Sequence, residues 1–296
     1  TSLEEALEQL YYKIKLNSAE EIDTINALNR VLAEDITSKI NIPPFDRSAM
    51  DGYAVKAEDT FGVSPSNPKV IKKIGTVEIG EQTDLVLTSG EAVRISTGAA
   101  IPQGSDSVIK IEDTEIDGDK VSLYTSIVPG KNISKKGEDI PRGTDILRAG
   151  ITIKASHIAL LSSLGIKHVK VKIKPKVSVF AVGDELIEVG NPLPINKIYN
   201  SNSPMVSSLV ETYGGSVVRE LNIKDNKDEI RNNLIKSSDD SQIIIFTGGT
   251  SVGTKDFLPE IIFENGEVLV HGIAMRPGSP VLIGIKDQTL IFCLPG

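Results

Sequence analysis

The chemistry this sequence could do centres on a run of small residues that follows an apolar one. Residues 242–257 read QIIIFTGGTSVGTKDF. Ile243, Ile244, Ile245 and Phe246 predict a parallel strand covered on both faces and ending in a tight turn. Gly248, Gly249 and Gly253 carry no side chain that would shield a backbone N–H, and Thr250, Ser251 and Thr254 add hydroxyl donors. Such a turn suits an anion, a phosphate above all. Gly248 and Gly253 have the spacing of a P-loop, but Thr254 stands where the lysine belongs and Lys255 comes one place late. Pro259 restricts the residue before it and makes a poor opening for the long helix a P-loop feeds. An ordinary NTPase is excluded. A plain strand-to-helix turn stays open beside phosphate binding.

Carboxylates stand at the ends of other apolar runs: Glu185 in GDE, Asp225 in KDN, and Asp256 just past the glycines. Beside a polyphosphate they repel it unless a hard cation lies between, so the combination implies Mg²⁺ held by one or two carboxylates and by phosphate oxygens. Positive charge returns in AMRPGSP, residues 274–280. There Pro277 and Pro280 fix the backbone and leave Arg276, Ser279 and free amides for an oxyanion, or simply a rigid turn with a solvated arginine.

A second group lies earlier in the chain. Asp46, Arg47, Ser48, Asp51 and Gly52 sit among Phe45 and Met50, a density that suits a shaped loop, although a turn between domains explains the composition as well. In RISTGAAIP, residues 94–102, Thr97 and Gly98 end a strand in small residues free to approach a ligand, or to form an ordinary turn.

These groups need elements to position them. At 296 residues the chain predicts two or three domains, and its net charge of −8 without a basic cluster argues against nucleic-acid binding. The single cysteine, Cys293, reads as a small core hydrophobe, and His157, His168 and His271 have no partners at metal-ligand spacing. No apolar stretch reaches the length of a membrane span, and the acidic amphipathic start is no signal peptide, so the expected compartment is the cytoplasm.

Ser2 and Glu5 form a capping box for a helix over residues 2–16, and a second helix fits residues 20–28. A short strand near 35–40 then runs into the stiff Pro43–Pro44 pair. From 56 to 128 the text is short β-runs, with Asp117-Gly118 as a hairpin turn, and residues 143–164 give a strand and a helix closed by Gly165. From 170 onward β and α alternate: KVSVFAVGDEL, NSNSPMVSSLVETYGG, SVVRELNIKDN, KDEIRNNLIKSS and the 242–257 run. That is a doubly wound α/β domain, whose ligands gather at the carboxyl ends of its strands.

The segments FDRSAMDGYAV, RISTGAAIP, GEDI, AVGDEL, NSNSPM, TGGTSVGTKDF and AMRPGSP, in this order, resemble those of the molybdopterin molybdenumtransferases, the family that includes the C-terminal domain of gephyrin. The resemblance covers nearly the whole chain. It implies an α/β multi-domain fold: an elongated α+β linking domain from 1–44 with 131–170, a small inserted β domain at 45–130, and the molybdopterin-binding α/β domain at 171–296. It also implies insertion of molybdate into adenylylated molybdopterin with Mg²⁺-dependent release of AMP. The family's site residues fall on Asp51, Thr97, Glu185, Asp225 and Asp256, with Glu185, Asp225 and Asp256 at the metal. Gly248, Gly249, Thr250, Ser251 and Gly253 fall at the pterin or phosphate, and Arg276, Pro277, Gly278, Ser279 and Pro280 at the oxyanion turn.

Members of the family are homodimers in which Asp51 and Thr97 would complete the partner's site, and a molybdopterin adenylyltransferase is the upstream partner implied. The sequence departs from the family at Arg276 and Ser279, where lysines are common, and Leu294-Pro295-Gly296 stops inside the family's LPGNP segment, leaving out its last helix and C-terminal β domain. A pterin-binding scaffold and an adenylyltransferase are the competing readings.

Overall fold

The computed structural model describes residues 1–14, 18–249, 257–274 and 280–296. By internal contacts the chain divides into two compact units. One holds Thr1–Ala33, Thr152–Lys154 and His168–Gly296; the other holds Glu34–Ile151 and Ala155–Lys167. Among the described residues, no helix is long and apolar enough to cross a membrane.

The first unit is built on a six-stranded sheet in the order Ser216–Ile223, Lys176–Val182, Ile243–Thr247, Thr289–Leu294, Leu282–Lys286, Glu267–His271. The first four strands are mutually parallel, and the last two add antiparallel neighbours. In the Lys176–Val182 strand every residue from Val177 onward is buried, as expected of a parallel strand with helices on both faces. On one face Phe180 stacks on Phe246 at 5.3 Å between centroids. The helices Lys227–Ser238 and Leu258–Asn265 close over them through Ile230, Leu234, Leu258, Ile261 and Ile262. Each buried ring or branched chain there contributes about 1.5–3 kcal/mol. On the other face Val206 of the helix Asn202–Thr212 packs on Val177 and Val179. Cys293 is fully buried in the first of these clusters, as a core hydrophobe should be.

The N-terminal helix runs Leu3–Lys13 with both bonds of its capping box formed, Glu5 N–H to Ser2 Oγ at 3.1 Å and Ser2 N–H to Glu5 Oε2 at 2.8 Å. The helix expected over 20–28 is instead a strand, Ala19–Asp23, followed by a 3-10 turn at Thr24–Asn26. Antiparallel pairing with His168–Lys172, Ile22 opposite Val169, outweighs a local preference of a few tenths of a kcal/mol per residue. Pro259 also behaves differently from its expected role. It sits in the first turn of Leu258–Asn265, where its missing N–H would have had no helical partner.

The second unit contains a mixed six-stranded sheet in the order Ser107–Lys110, Gly52–Val55, Glu91–Ile95, Lys69–Val77, Lys120–Leu123, Thr114–Asp117. The expected hairpin closes with Asp117 opposite Lys120. Tyr53, Val55, Ile71, Ile109, Val121 and Leu123 form one of its cores.

Candidate active site

In the first unit the strand register determines which loops share an edge. Val182 lies opposite Ile223, Ala181 opposite Thr247, and Thr247 opposite Leu294, so four parallel strands end in one row. From that row leave Gly183-Asp184-Glu185, Lys224-Asp225, Gly248-Gly249 and Pro295-Gly296. The row continues across the antiparallel strands, with Leu282 paired to both Cys293 and His271. Residues 272–274, which leave one of these strands, and residues 280 and 281, which enter the other with Pro280 exposed, therefore lie at this same edge.

Backbone hydrogen bonds draw the strand ends together: Gly183 N–H donates to Ile223 O at 3.2 Å and Gly248 N–H to Leu294 O at 3.0 Å. Gly248 and Gly249 have φ of 83° and 70°. A Cβ on Gly248 would lie 2.5 Å from the carbonyl oxygen of Val182, so only glycine fits. The turn thus rests directly on the neighbouring strand, its Gly248 amide bonded to Leu294 and its Gly249 amide unshielded by a side chain of its own.

Beside it lies a cavity of about 80 Å³ lined by Glu185, Tyr199, Asn200, Ser201, Thr247 and Gly248 among others. At about 30 Å³ per water it admits a group of a few atoms, the scale of a phosphate. The helix Asn202–Thr212 opens onto this cavity, and the positive end of its dipole favours negative charge there, although Ser203 donates its N–H to Asn200 and Pro204 has none. Asn200 holds that opening in place. It is 6% exposed, its Nδ2 donates to Asn222 Oδ1 at 2.6 Å, and its Oδ1 accepts from Ser203 N–H at 3.1 Å.

Glu185 is exposed at the cavity wall and folds back over Gly183, where a Cβ would come within 2.7 Å of both carboxylate oxygens. Asp225 is half-buried at the end of the adjacent strand, just before Asn226, which caps Lys227–Ser238 by accepting from the amides of Asp228 and Glu229 at 3.0 and 3.1 Å. The structure therefore brings Glu185, Asp225, Gly248 and Gly249 to one edge, with Pro280 on the loop two strands further along. Thr250, Ser251, Gly253, Asp256, Arg276, Pro277, Gly278 and Ser279 lie outside the described residues.

Asp51 and Thr97 meet in the second unit, where Thr97 N–H donates to Asp51 Oδ1 at 2.8 Å. The bonds from the backbone and side chain of Thr97, helped by the charge of Arg94, hold the Asp51 carboxyl below the usual carboxylate range. The surrounding segment is a shaped loop. Gly98 N–H donates to Ser48 O at 2.8 Å, and Arg94 Nη1 donates to Gly52 O at 2.8 Å while its guanidinium lies 5.4 Å over the Tyr53 ring. At Gly52 a Cβ would sit 1.8 Å from Ile109 O, which excludes any other residue. Asp46 anchors the far side through Lys135 Nζ at 2.9 Å and Lys136 N–H at 2.8 Å.

Asn200 and Asn222 escaped the sequence reading as individual residues. An amide three places before Ser203 has the pattern of a helix cap, which could have singled out Asn200. Nothing local marks Asn222, which matters only through a strand pairing distant in sequence.

Glu185 and Asp225, on adjacent strand ends, are a donor set that suits Mg²⁺, which takes one or two carboxylates and fills its shell with phosphate oxygens and water. Among the described residues no cluster of three or more His, Cys, Asp or Glu side chains gathers as a complete protein cage.

Comparison with known proteins agrees with this architecture. Residues 1–165 match the family described as "MoeA N-terminal region (domain I and II)", and residues 178–296 match "Probable molybdopterin binding domain". A protein of Methanocaldococcus jannaschii named for molybdopterin biosynthesis is 37% identical over 93% of this chain and 69% of its own length. The molybdopterin molybdenumtransferase of Staphylococcus aureus strain Mu50 is 39% identical over 91% of this chain and 65% of its own. The crystal structure of a molybdopterin biosynthesis MoeA protein from Pyrococcus horikoshii superimposes with a TM-score of 0.89 at 38% identity, covering 100% of this chain and 74% of that one. The chain thus spans about two thirds to three quarters of the length of these relatives.

Proposed function

The chain belongs to the MoeA family of molybdopterin biosynthesis proteins, and from that premise we propose that it is a molybdopterin molybdenumtransferase, inserting molybdate into adenylylated molybdopterin with release of AMP. The observation that carries this reading is the alignment of four strand ends, which puts Glu185, Asp225 and the Gly248–Gly249 turn at one edge beside a phosphate-sized cavity.

In this reading the Gly249 amide and the Asn202 amide, at the positive end of the Asn202–Thr212 helix, bind the diphosphate. Thr250, Ser251 and Gly253, from the same glycine-rich segment, bind the pterin or the phosphate. Glu185 and Asp225, joined by Asp256, would hold Mg²⁺; the ion supplies neutralisation of the diphosphate charge when bound. The same carboxylates orient the water whose oxygen adds to the adenylyl phosphorus as the bridging P–O bond breaks and AMP leaves. Arg276, Pro277, Gly278, Ser279 and Pro280 bind the molybdate oxyanion.

The active form is a homodimer in which Asp51 and Thr97 of one subunit complete the site of the other. The three-part division into 1–44 with 131–170, 45–130 and 171–296 belongs to the same proposal. A molybdopterin adenylyltransferase supplies the substrate, and the setting is the cytoplasm with no nucleic-acid or membrane partner. Incubation with adenylylated molybdopterin, molybdate and Mg²⁺ tests the reading. Stoichiometric AMP release with metal insertion is expected, and tight binding without AMP release would identify a scaffold instead.

A further inference from the structure

A second, larger cavity among the described residues lies away from the candidate active site. It measures about 890 Å³, within the range of small-molecule sites, and all its lining residues belong to the first unit. It touches Gln242 and Ile243 at the start of one strand and Leu290 near the start of the next, whereas the candidate site uses Thr247 and the carboxyl ends. Four residues of strand at about 3.3 Å each put roughly 13 Å between the two.

The charge of this cavity is opposite to that of the protein. The chain carries a net charge of −8, yet Lys13, Arg30, Lys172 and Lys174 line the cavity and no Asp or Glu does so among the described residues. Lys13 pairs with Glu267 at 2.8 Å and Arg30 pairs with Glu20, both acids lying outside the lining. Lys172 and Lys174 have no ion-pair partner among the described residues. Two helix C-termini reach the cavity and oppose an anion, but their last turns are closed by their own amides, Ile14 N–H on Leu10 O at 3.0 Å and Gly215 N–H on Val210 O at 2.8 Å. The remaining lining is uncharged and mixed, with Asn29, Gln242 and Gln288 among its polar groups, Leu290 buried and Tyr213 86% exposed. Cations beside a buried leucine and an exposed aromatic ring suit an organic anion that carries a planar ring body.

We propose that this cavity at the amino edge of the sheet is a second binding site, taking an aromatic organic anion whose charged group meets Lys172 and Lys174 and whose ring lies on Tyr213 and Leu290. The test is fluorescence titration of the whole chain with anilinonaphthalene sulfonate. Saturable one-site binding is expected, weakening at least tenfold in Lys172→Glu/Lys174→Glu, severalfold in Tyr213→Ala, and with rising salt. Circular dichroism checks the fold of each variant. Should the double variant fail to fold, the exposed Lys174→Glu carries the test alone, with an expected loss of at least threefold. Binding that never saturates, or that keeps its affinity in the charge-reversed variants, overturns the proposal.

Discussion

Thr97 donates its backbone N–H to the Asp51 carboxylate at 2.8 Å across 46 residues of sequence, so two loops of the second unit present one acidic group and one hydroxyl together. Glu185, Asp225 and Gly248 belong to the other unit. If the two groups work as one site across a dimer, an Asp51→Ala subunit and an Asp256→Ala subunit, each inactive alone, regain AMP release when mixed. No activity in a mixture shown to contain heterodimers would falsify the shared site.

Gly248 is held by two separate constraints, a φ of 83° and a 2.5 Å approach of any Cβ to Val182 O. Gly62 has a φ of 77° and open space around it. Gly62→Ala should therefore cost about 1 kcal/mol and leave turnover unchanged, while Gly248→Ala costs about 2–4 kcal/mol and abolishes substrate binding. Denaturant midpoints and a binding titration measure both; equal stabilities of the two variants would contradict the steric account.

Asn222 accepts from Asn200 at 2.6 Å, and Asn200 in turn caps the helix that opens onto the phosphate-sized cavity. Asn222→Leu leaves a buried amide unsatisfied, at about 1–3 kcal/mol. Through the displaced cap it raises KM more than it lowers kcat. Asn222→Asp keeps the acceptor and should restore KM toward the parent value. A KM unmoved by Asn222→Leu would remove Asn222 from the positioning of this helix.

Asp59 supplies a pH dependence of stability. It is 4% exposed, and burial raises its pKa. Bonds from Gly90 N–H at 2.8 Å, Ser89 Oγ at 2.8 Å and Lys69 Nζ at 3.1 Å outweigh that and hold it below the usual range. A depressed folded pKa means the contribution is complete above the unfolded value of about 3.9 and disappears as pH falls through the lower folded value. The stability gap between the parent and Asp59→Asn should hold steady from about pH 8 to 5 and narrow below about pH 4. A gap that widens on acidification would reverse the sign and refute the assignment.

Much of this was legible in the sequence where one local rule and one tertiary demand agree. The run 243–246 is a central strand because its apolar residues meet sheet and helices on both faces, and Ser2 with Glu5 caps the first helix because the cap is a local bond. Residues 20–28 misled because their polar, helix-tolerant composition gave no sign of a pairing with His168–Lys172, some 150 residues on. The carboxylates and glycines of the site could be named because they follow apolar strand runs and lie in segments that resemble those of a known family. Asn200 and Asn222 could not, since an asparagine becomes a positioning residue only when the sheet sets another beside it.

The central claim is that Glu185 and Asp225 hold Mg²⁺ at the diphosphate. Its most direct test is the affinity for adenylylated molybdopterin measured with and without Mg²⁺, in the parent and in Glu185→Gln/Asp225→Asn. The account predicts that Mg²⁺ tightens binding at least tenfold in the parent and has no effect in the double variant, whose metal-free affinity equals or exceeds that of the metal-free parent because two repelling charges are gone. An undiminished Mg²⁺ effect in the double variant would contradict it.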